Sequence, residues 1–129
     1  MIVLDSSAAV DYLLARAPGE WVEEQLRKVD RVHAPHLLDI EVVGGLRKQV
    51  QIGEVSPRRA EQALSDFQEL RVRRYPHFPF LGQIWELRHN FTASDAAFVA
   101  LAEALGASLV TTDLSLAAAP GLRIPILSP

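Results

Sequence analysis

Ile2-Val3-Leu4-Asp5-Ser6-Ser7-Ala8-Ala9-Val10 opens the chain, and its reading decides the fold. Three apolar residues end at a carboxylate, two hydroxyls follow, and a helical pattern begins at Ala8. An apolar run that short, bounded by polar turn residues, reads as a strand buried on both faces. Open parallel sheets carry their ligand sites at the carboxyl edge. Asp5 therefore arrives where a ligand binds, and burying its charge is costly unless something pairs with it.

Strands and helices alternate downstream. Ser6 or Ser7 is placed to cap a first helix to about Ala15, and Pro18-Gly19 punctuates before a second over Trp21–Val29. Val32-His33-Ala34 reads as a strand ended by Pro35, followed by a helix from about Leu37 to Val50. Ser56-Pro57 is a strong helix start, with Ala60, Ala63, Leu64, Phe67 and Leu70 on one face. Leu70–Tyr75 reads as an edge strand, and a loop holding Pro76 and Pro79 leads to a helix over Leu81–Arg88. Ala93–Leu105 is the clearest helix, closed by Gly106. Ser108–Thr112 is a second buried strand, Ala117–Gly121 a short helix or turn, and Arg123–Leu127 a last strand. This alternation predicts a three-layer α/β/α domain with a mostly parallel sheet of four to five strands, and the length predicts one domain over 1–129.

A net charge of −3 gives no bulk reason to expect a polyanionic partner. The absence of cysteine excludes disulfides, thiolate metal ligands and a cysteine nucleophile, and fits a cytoplasmic protein. No basic region precedes the first apolar residues and Asp5 interrupts them, so no signal peptide is expected. No apolar stretch approaches the ~20 residues that span a bilayer, so no membrane association is expected.

Four acids stand out by position. Asp113 ends Leu109-Val110-Thr111-Thr112 as Asp5 ends its own strand. Asp95 opens the best helix on the face shared by Phe98, Val99 and Ala102. Glu41 lies beside the stripe of Leu38, Val42 and Leu46. Asp39 is about 200° around the same helix from Glu41, so the two cannot both face inward, and Glu41 has the apolar neighbours. Each acid also has a local role open to it. Asp5 and Asp113 suit turns or caps, Asp95 suits a first helical turn or cap, and Glu41 suits a stem that reaches out to water. Together, four converging carboxylates would repel, and a divalent cation relieves that repulsion. An all-oxygen site suits Mg²⁺ or Mn²⁺ rather than Zn²⁺. His33, His36, His77 and His89 show no metal-ligand spacing and read as surface or loop residues. Arg47, Lys48, Arg71, Arg73, Arg74 and Arg88 are candidate phosphate contacts; Arg71, Arg73 and Arg74 form the best cluster, with Tyr75 adjacent for base stacking.

The chain resembles the PIN-domain family, and within it the VapC-type toxins of bacterial toxin–antitoxin pairs. The resemblance rests on Ile2–Ala8, Ile40-Glu41-Val42-Val43-Gly44-Gly45-Leu46-Arg47, Thr92–Ala102 and Leu109–Asp113, in that order over essentially the whole length. It implies a metal-dependent ribonuclease in which Asp5, Glu41, Asp95 and Asp113 line one pocket around Mg²⁺. Asp5 and Asp95 match the best-attested ligands, and Ser6 and Thr112 match hydroxyls that orient the acids or a water. The resemblance also implies an RNA substrate, a homodimer and a cognate antitoxin whose tail inserts a basic side chain into the pocket. Two features depart from the family: Ser94 stands where an aromatic residue is common, and Gly44-Gly45 replaces better helix formers.

Hydrolysis by a metal-activated water is the mechanism such a site predicts. A receiver-type phospho-acceptor domain would need a lysine after a late strand, and no lysine lies beyond Lys48. A dehalogenase-like phosphatase would need an acid where Ser7 stands, and a nucleotide-binding domain a glycine-rich turn where no glycine precedes Gly19. The alternative is a non-catalytic PIN-like module that binds RNA or protein.

Overall fold

The computed structural model describes all 129 residues. Five parallel strands, β1 (Ile2–Leu4), β2 (Val32–Pro35), β3 (Val72–Tyr75), β4 (Ser108–Val110) and β5 (Ile126–Leu127), lie in the order β3-β2-β1-β4-β5. The helices are α1 (Ser6–Leu13), α2 (Gly19–Leu26), α3 (Leu37–Gln51), α4 (Pro57–Glu69), α5 (Leu81–Glu86), α6 (Ala93–Leu105) and α7 (Leu114–Ala117), with one 3₁₀ turn at Phe78–Phe80.

Right-handed crossovers fix the layers. The chain steps from β1 through β2 to β3 in one direction, so α1 to α4 fall on one face, where α1 packs on α2, α3 and α4. It then returns across β1 to β4, which carries α5 and α6 to the other face, with α6 against β1, β2 and β4. Every residue of Ala96–Ala102 is buried, since α6 is enclosed on nearly all sides. The expected three-layer α/β/α architecture is the one observed.

The direction of strand addition reverses between β1 and β4. That reversal opens a crevice at the carboxyl ends of those two strands, the usual ligand position in such sheets. Val3 and Leu4 of β1 and Leu109 and Val110 of β4 lie in the core below it, all without solvent exposure. Burial of such side chains contributes roughly 1.5–3 kcal/mol each, so the crevice is mounted on the most stable part of the sheet.

Several boundaries differ from expectation. Asp5 caps α1, where Ser6 or Ser7 was expected: its side chain accepts from the Ala8 amide. Gly19 begins α2 rather than separating helices. The short helix expected at Ala117–Gly121 lies earlier, at Leu114–Ala117, because Asp113 caps it. Ser56 caps α4, Pro57 begins it, and Gly106 closes α6 at φ 62°, as the sequence predicts.

Candidate active site

The β1–β4 register builds the centre of the site. Ile2, Val3 and Leu4 pair with Ser108, Leu109 and Val110, so the next level sets Asp5 beside Thr111. The Asp5 amide donates to Val110 O at 3.1 Å, holding that level. Asp5 is only 5% exposed. Its Oδ1 accepts from the Ser7 hydroxyl at 2.8 Å and the Ala8 amide at 2.9 Å. Burial pushes the Asp5 carboxyl from 3.8 up to about 6, against the hydrogen bonds from Thr111, Ala8 and Ser7, and the charge of Asp113 adds to the rise.

The other three acids approach from separate elements. Glu41 lies on the second turn of α3, half-buried. Burial raises its pKa, a Ser6 hydrogen bond opposes the rise, and the charge of Asp95 adds to it. Asp95 sits in the first turn of α6, where its amide donates to the capping Thr92 hydroxyl at 3.2 Å. Burial raises the Asp95 pKa, the Asp113 charge adds to it, and Thr92 opposes it. Asp113 behaves differently. Its Oδ1 accepts from the Ser115 hydroxyl at 2.6 Å and from the Ser115 and Leu116 amides, and these bonds, led by that hydroxyl, lower its pKa despite partial burial.

Charge thus links the four carboxylates in series, Asp5 to Asp113, Asp113 to Asp95 and Asp95 to Glu41. They are not drawn into a closed chelate: no three His, Cys, Asp or Glu side chains form a metal-sized group. Local bonds account for this, since Asp113 Oδ1 turns back to cap α7 and Asp5 Oδ1 turns back to cap α1. None of the four is in an ion pair. Asp11, also withdrawn from solvent, is paired with Arg16 at 2.6 Å. The donor set fits a hard divalent cation: carboxylate oxygens alone, on four groups of which three have ionisation held back by burial and like charge.

Sequence reasoning named Ser6 and Thr112 as supporting hydroxyls. Ser6 lies at Glu41. Thr112 donates to Asp11 Oδ2 at 2.7 Å rather than to one of the four acids. The residue that supports Asp5 is Thr111, fully buried at the same level of the sheet. Thr111 Oγ1 accepts the Asp113 amide at 3.0 Å, so one hydroxyl bridges the two strand ends. Ser7 does likewise, donating to Asp5 and accepting the Thr112 amide at 3.3 Å. Counting register from Asp5 and Asp113 would have found Thr111, since adjacent residues of a strand face opposite sides.

The arginine cluster is dispersed. Arg71, before the amino end of β3, pairs with Asp30 at 2.9 Å. Arg74 Nε donates to both oxygens of Asp39, at 2.9 and 2.8 Å. Arg73 lies over the Tyr75 ring at 5.4 Å, and the Tyr75 hydroxyl bonds His33 Nδ1 at 2.7 Å, so Tyr75 is engaged within the fold. His33 is a buried strand residue rather than a surface one. Its pKa is lowered by burial and then by Arg73, the chain's amino terminus and Arg31. His77 Nε2 accepts the Leu37 amide at 2.9 Å, capping α3. These histidines hold the scaffold and lie outside the carboxylate cluster.

The PIN-domain family model matches residues 2–122. The chain is 41% identical over 126 residues to a protein named VapC ribonuclease Mb0985 from Mycobacterium bovis, covering 98% of this chain and 96% of the relative. It is 46% identical over 125 residues to ribonuclease VapC1 of Mycobacterium tuberculosis, covering 96% and 94%. Two solved structures share the fold. PAE2754 from Pyrobaculum aerophilum has a TM-score of 0.70 at 24% identity, covering 97% of this chain and 81% of that one. VapBC2 from Rickettsia felis, bound to a DNA fragment from their promoter, has a TM-score of 0.62 at 16% identity, covering 99% and 98%.

Proposed function

The chain belongs to the PIN-domain family, and from that premise we propose that it is a divalent-metal-dependent endoribonuclease, the toxin of a toxin–antitoxin pair. One observation carries this reading. The acids gathered at the β1–β4 crevice have no cationic partner, while Asp11, Asp30 and Asp39 elsewhere each have an arginine. Stabilising forces alone do not favour an unpaired buried carboxylate. A site that concentrates such groups is suited to binding a cation.

Asp5 and Asp95 would hold Mg²⁺ or Mn²⁺, with Glu41 and Asp113 completing the set. Such an ion, when bound, lowers the pKa of water toward neutrality and stabilises charge on phosphate oxygens. The chain's own part is positional. Ser7, Thr111 and the Ala8 amide fix Asp5, and the strand pair beneath it resists displacement. Ser6 orients Glu41, and Thr92 fixes the first turn that carries Asp95. Asp113, held ionised by Ser115, keeps negative charge at the crevice and raises its neighbours' affinity for cations.

The likeness to proteins named VapC ribonucleases supports RNA as the substrate, and the fold shared with VapBC2 supports a cognate antitoxin; a homodimer is part of the same proposal. Its length and composition suit a cytoplasmic setting, and no helix is long and apolar enough to cross a membrane. The test is cleavage of tRNA, rRNA and mRNA panels with Mg²⁺ or Mn²⁺. Cleavage that disappears on chelation and in Asp5→Asn is expected. Full metal-dependent cleavage by Asp5→Asn would overturn the reading. Metal binding without any cleavage would return the chain to the non-catalytic module.

A further inference from the structure

A cavity of about 290 Å³ opens beside Glu41, between α1 and α3, and both signs of charge line it. Glu41 and Lys48 line it from α3, and Arg16 lines it together with its partner Asp11. Glu41, Gly45 and Lys48 are spaced i, i+4 and i+7, so they form one stripe along α3. The two charged residues are about 10 Å apart along the helix axis. Gly45 keeps the stretch between them open. A Cβ there would lie 2.8 Å from Val10 Cγ2, which shows how closely α3 approaches α1 at the trough's floor.

Lys48 is exposed and makes no ion pair, although it shares the face of Glu41. Arg16 is anchored by Asp11, through Nε at 2.8 Å and a terminal nitrogen at 2.6 Å. Asp11 is also bound by the Thr112 hydroxyl, so it is satisfied within the fold and Arg16 is held at the trough with donors to spare. A cation beside Glu41 and an anion beside Lys48 are what this wall suits. A ligand spanning both would carry negative charge at intervals.

We propose that the trough between Gly45 and Arg16 is a subsite for a phosphate neighbouring the scissile one in single-stranded RNA. Lys48 is its main charge contact and Arg16 its second. This rests on the ribonuclease reading above and assigns substrate contacts to α3 and the α1–α2 turn, in place of Arg71 and Arg74, which ion pairs engage, and of Arg73, which lies over Tyr75. Lys48 stands too far from Glu41 to touch a phosphate held among the acids, so its contact is with the next phosphate along the strand.

The test compares two substrates under one metal condition: an RNA oligonucleotide and bis(4-nitrophenyl) phosphate, which has a single phosphate and no neighbour. Lys48→Ala is expected to raise KM for RNA about fivefold to tenfold with kcat little changed, the loss of one phosphate contact. It should also reduce the salt slope of RNA binding by about 0.7. Hydrolysis of the small diester should be unchanged, and Lys48→Arg should restore RNA binding. Arg58→Ala, at an exposed and unpaired arginine in the first turn of α4, should change neither substrate. An unchanged RNA KM in Lys48→Ala, an equal loss on both substrates, or the same effect from Arg58→Ala would overturn the subsite while leaving the nuclease reading intact. If the unaltered protein cleaves neither substrate, the nuclease reading itself fails and the subsite with it.

Discussion

Asp39 and Glu41 lie two residues apart on α3 and have opposite lives. Asp39 receives Arg74 Nε on both oxygens, and that arginine also packs over Phe67 at 5.6 Å. Glu41 meets Asp95 instead, a second carboxylate, with only Ser6 in compensation. The helix thus divides its charges by face. Asp39 is neutralised by a neighbour, and Glu41 is not. Stability alone favours pairing both carboxylates, so the difference supports the proposed site on the face of Glu41.

The largest effect expected from breaking this contrast is on catalysis. Partners that merely orient a metal ligand are worth about 10–100-fold, so removing a ligand costs at least as much. Asp5→Asn and Asp95→Asn should therefore lower RNA cleavage by more than about a hundredfold. Asp39→Asn, two residues from Glu41, should leave activity within a few-fold, and steady-state cleavage assays check both.

Stability should move the other way. In the absence of metal, Asp5→Asn keeps an acceptor for Ser7 and Ala8 and removes a costly buried charge. A carboxyl moved from 3.8 to about 6 corresponds to roughly 3 kcal/mol, so the variant should be stabilised by up to that amount near neutral pH. Its source shows in the pH profile. Between pH 4 and 6 the folded protein keeps a proton on Asp5 that the unfolded chain has lost. This contribution is therefore fully present below about pH 4, declines as pH rises to about 6, and is gone above it. Denaturant melts with chelator should show a steeper slope in the parent than in Asp5→Asn, where only the like-signed contributions of Glu41 and Asp95 remain.

The two adjacent glycines should separate next. Ala at Gly45 meets the Val10 Cγ2 methyl at 2.8 Å, and a β-branched side chain within α1 has little rotamer freedom to move aside. Gly45→Ala should cost about 1–3 kcal/mol and lower activity by shifting Glu41 one turn away. Gly44 has open space, so Gly44→Ala should stabilise by about 0.5–1 kcal/mol with activity kept. Thermal melts and cleavage rates measure both. The smallest effect belongs to the paired face: Asp39→Asn should cost no more than about 1 kcal/mol, as its ion pair with Arg74 is partly open to solvent.

Much of this was legible in the sequence, and for identifiable reasons. Apolar runs ended by Asp5 and Asp113 announce buried parallel strands, and Ser56-Pro57 and Gly106 carry the chemistry of helix ends within themselves. The four acids could be chosen because each stands at a strand end, a helix start or beside an apolar stripe. What escaped depends on neighbours distant in sequence. Thr111 was passed over for Thr112 because only the β1–β4 register puts it at the level of Asp5. The run Arg71, Arg73 and Arg74 suggested a substrate patch, but Asp30 and Asp39 reach it from either end of the β2 region. Gly45 looked like a weak point in a helix, and its use is visible only once α1 lies against it.

Calorimetric titration of Mn²⁺ into the metal-free protein at about pH 7.5, alongside Asp95→Asn and Asp39→Asn, tests the metal site most directly. Saturable binding by the parent and by Asp39→Asn, lost in Asp95→Asn, is the predicted result. Equal binding by all three, or no binding by the parent, would contradict the claim that the unpaired carboxylates of the β1–β4 crevice form a metal site.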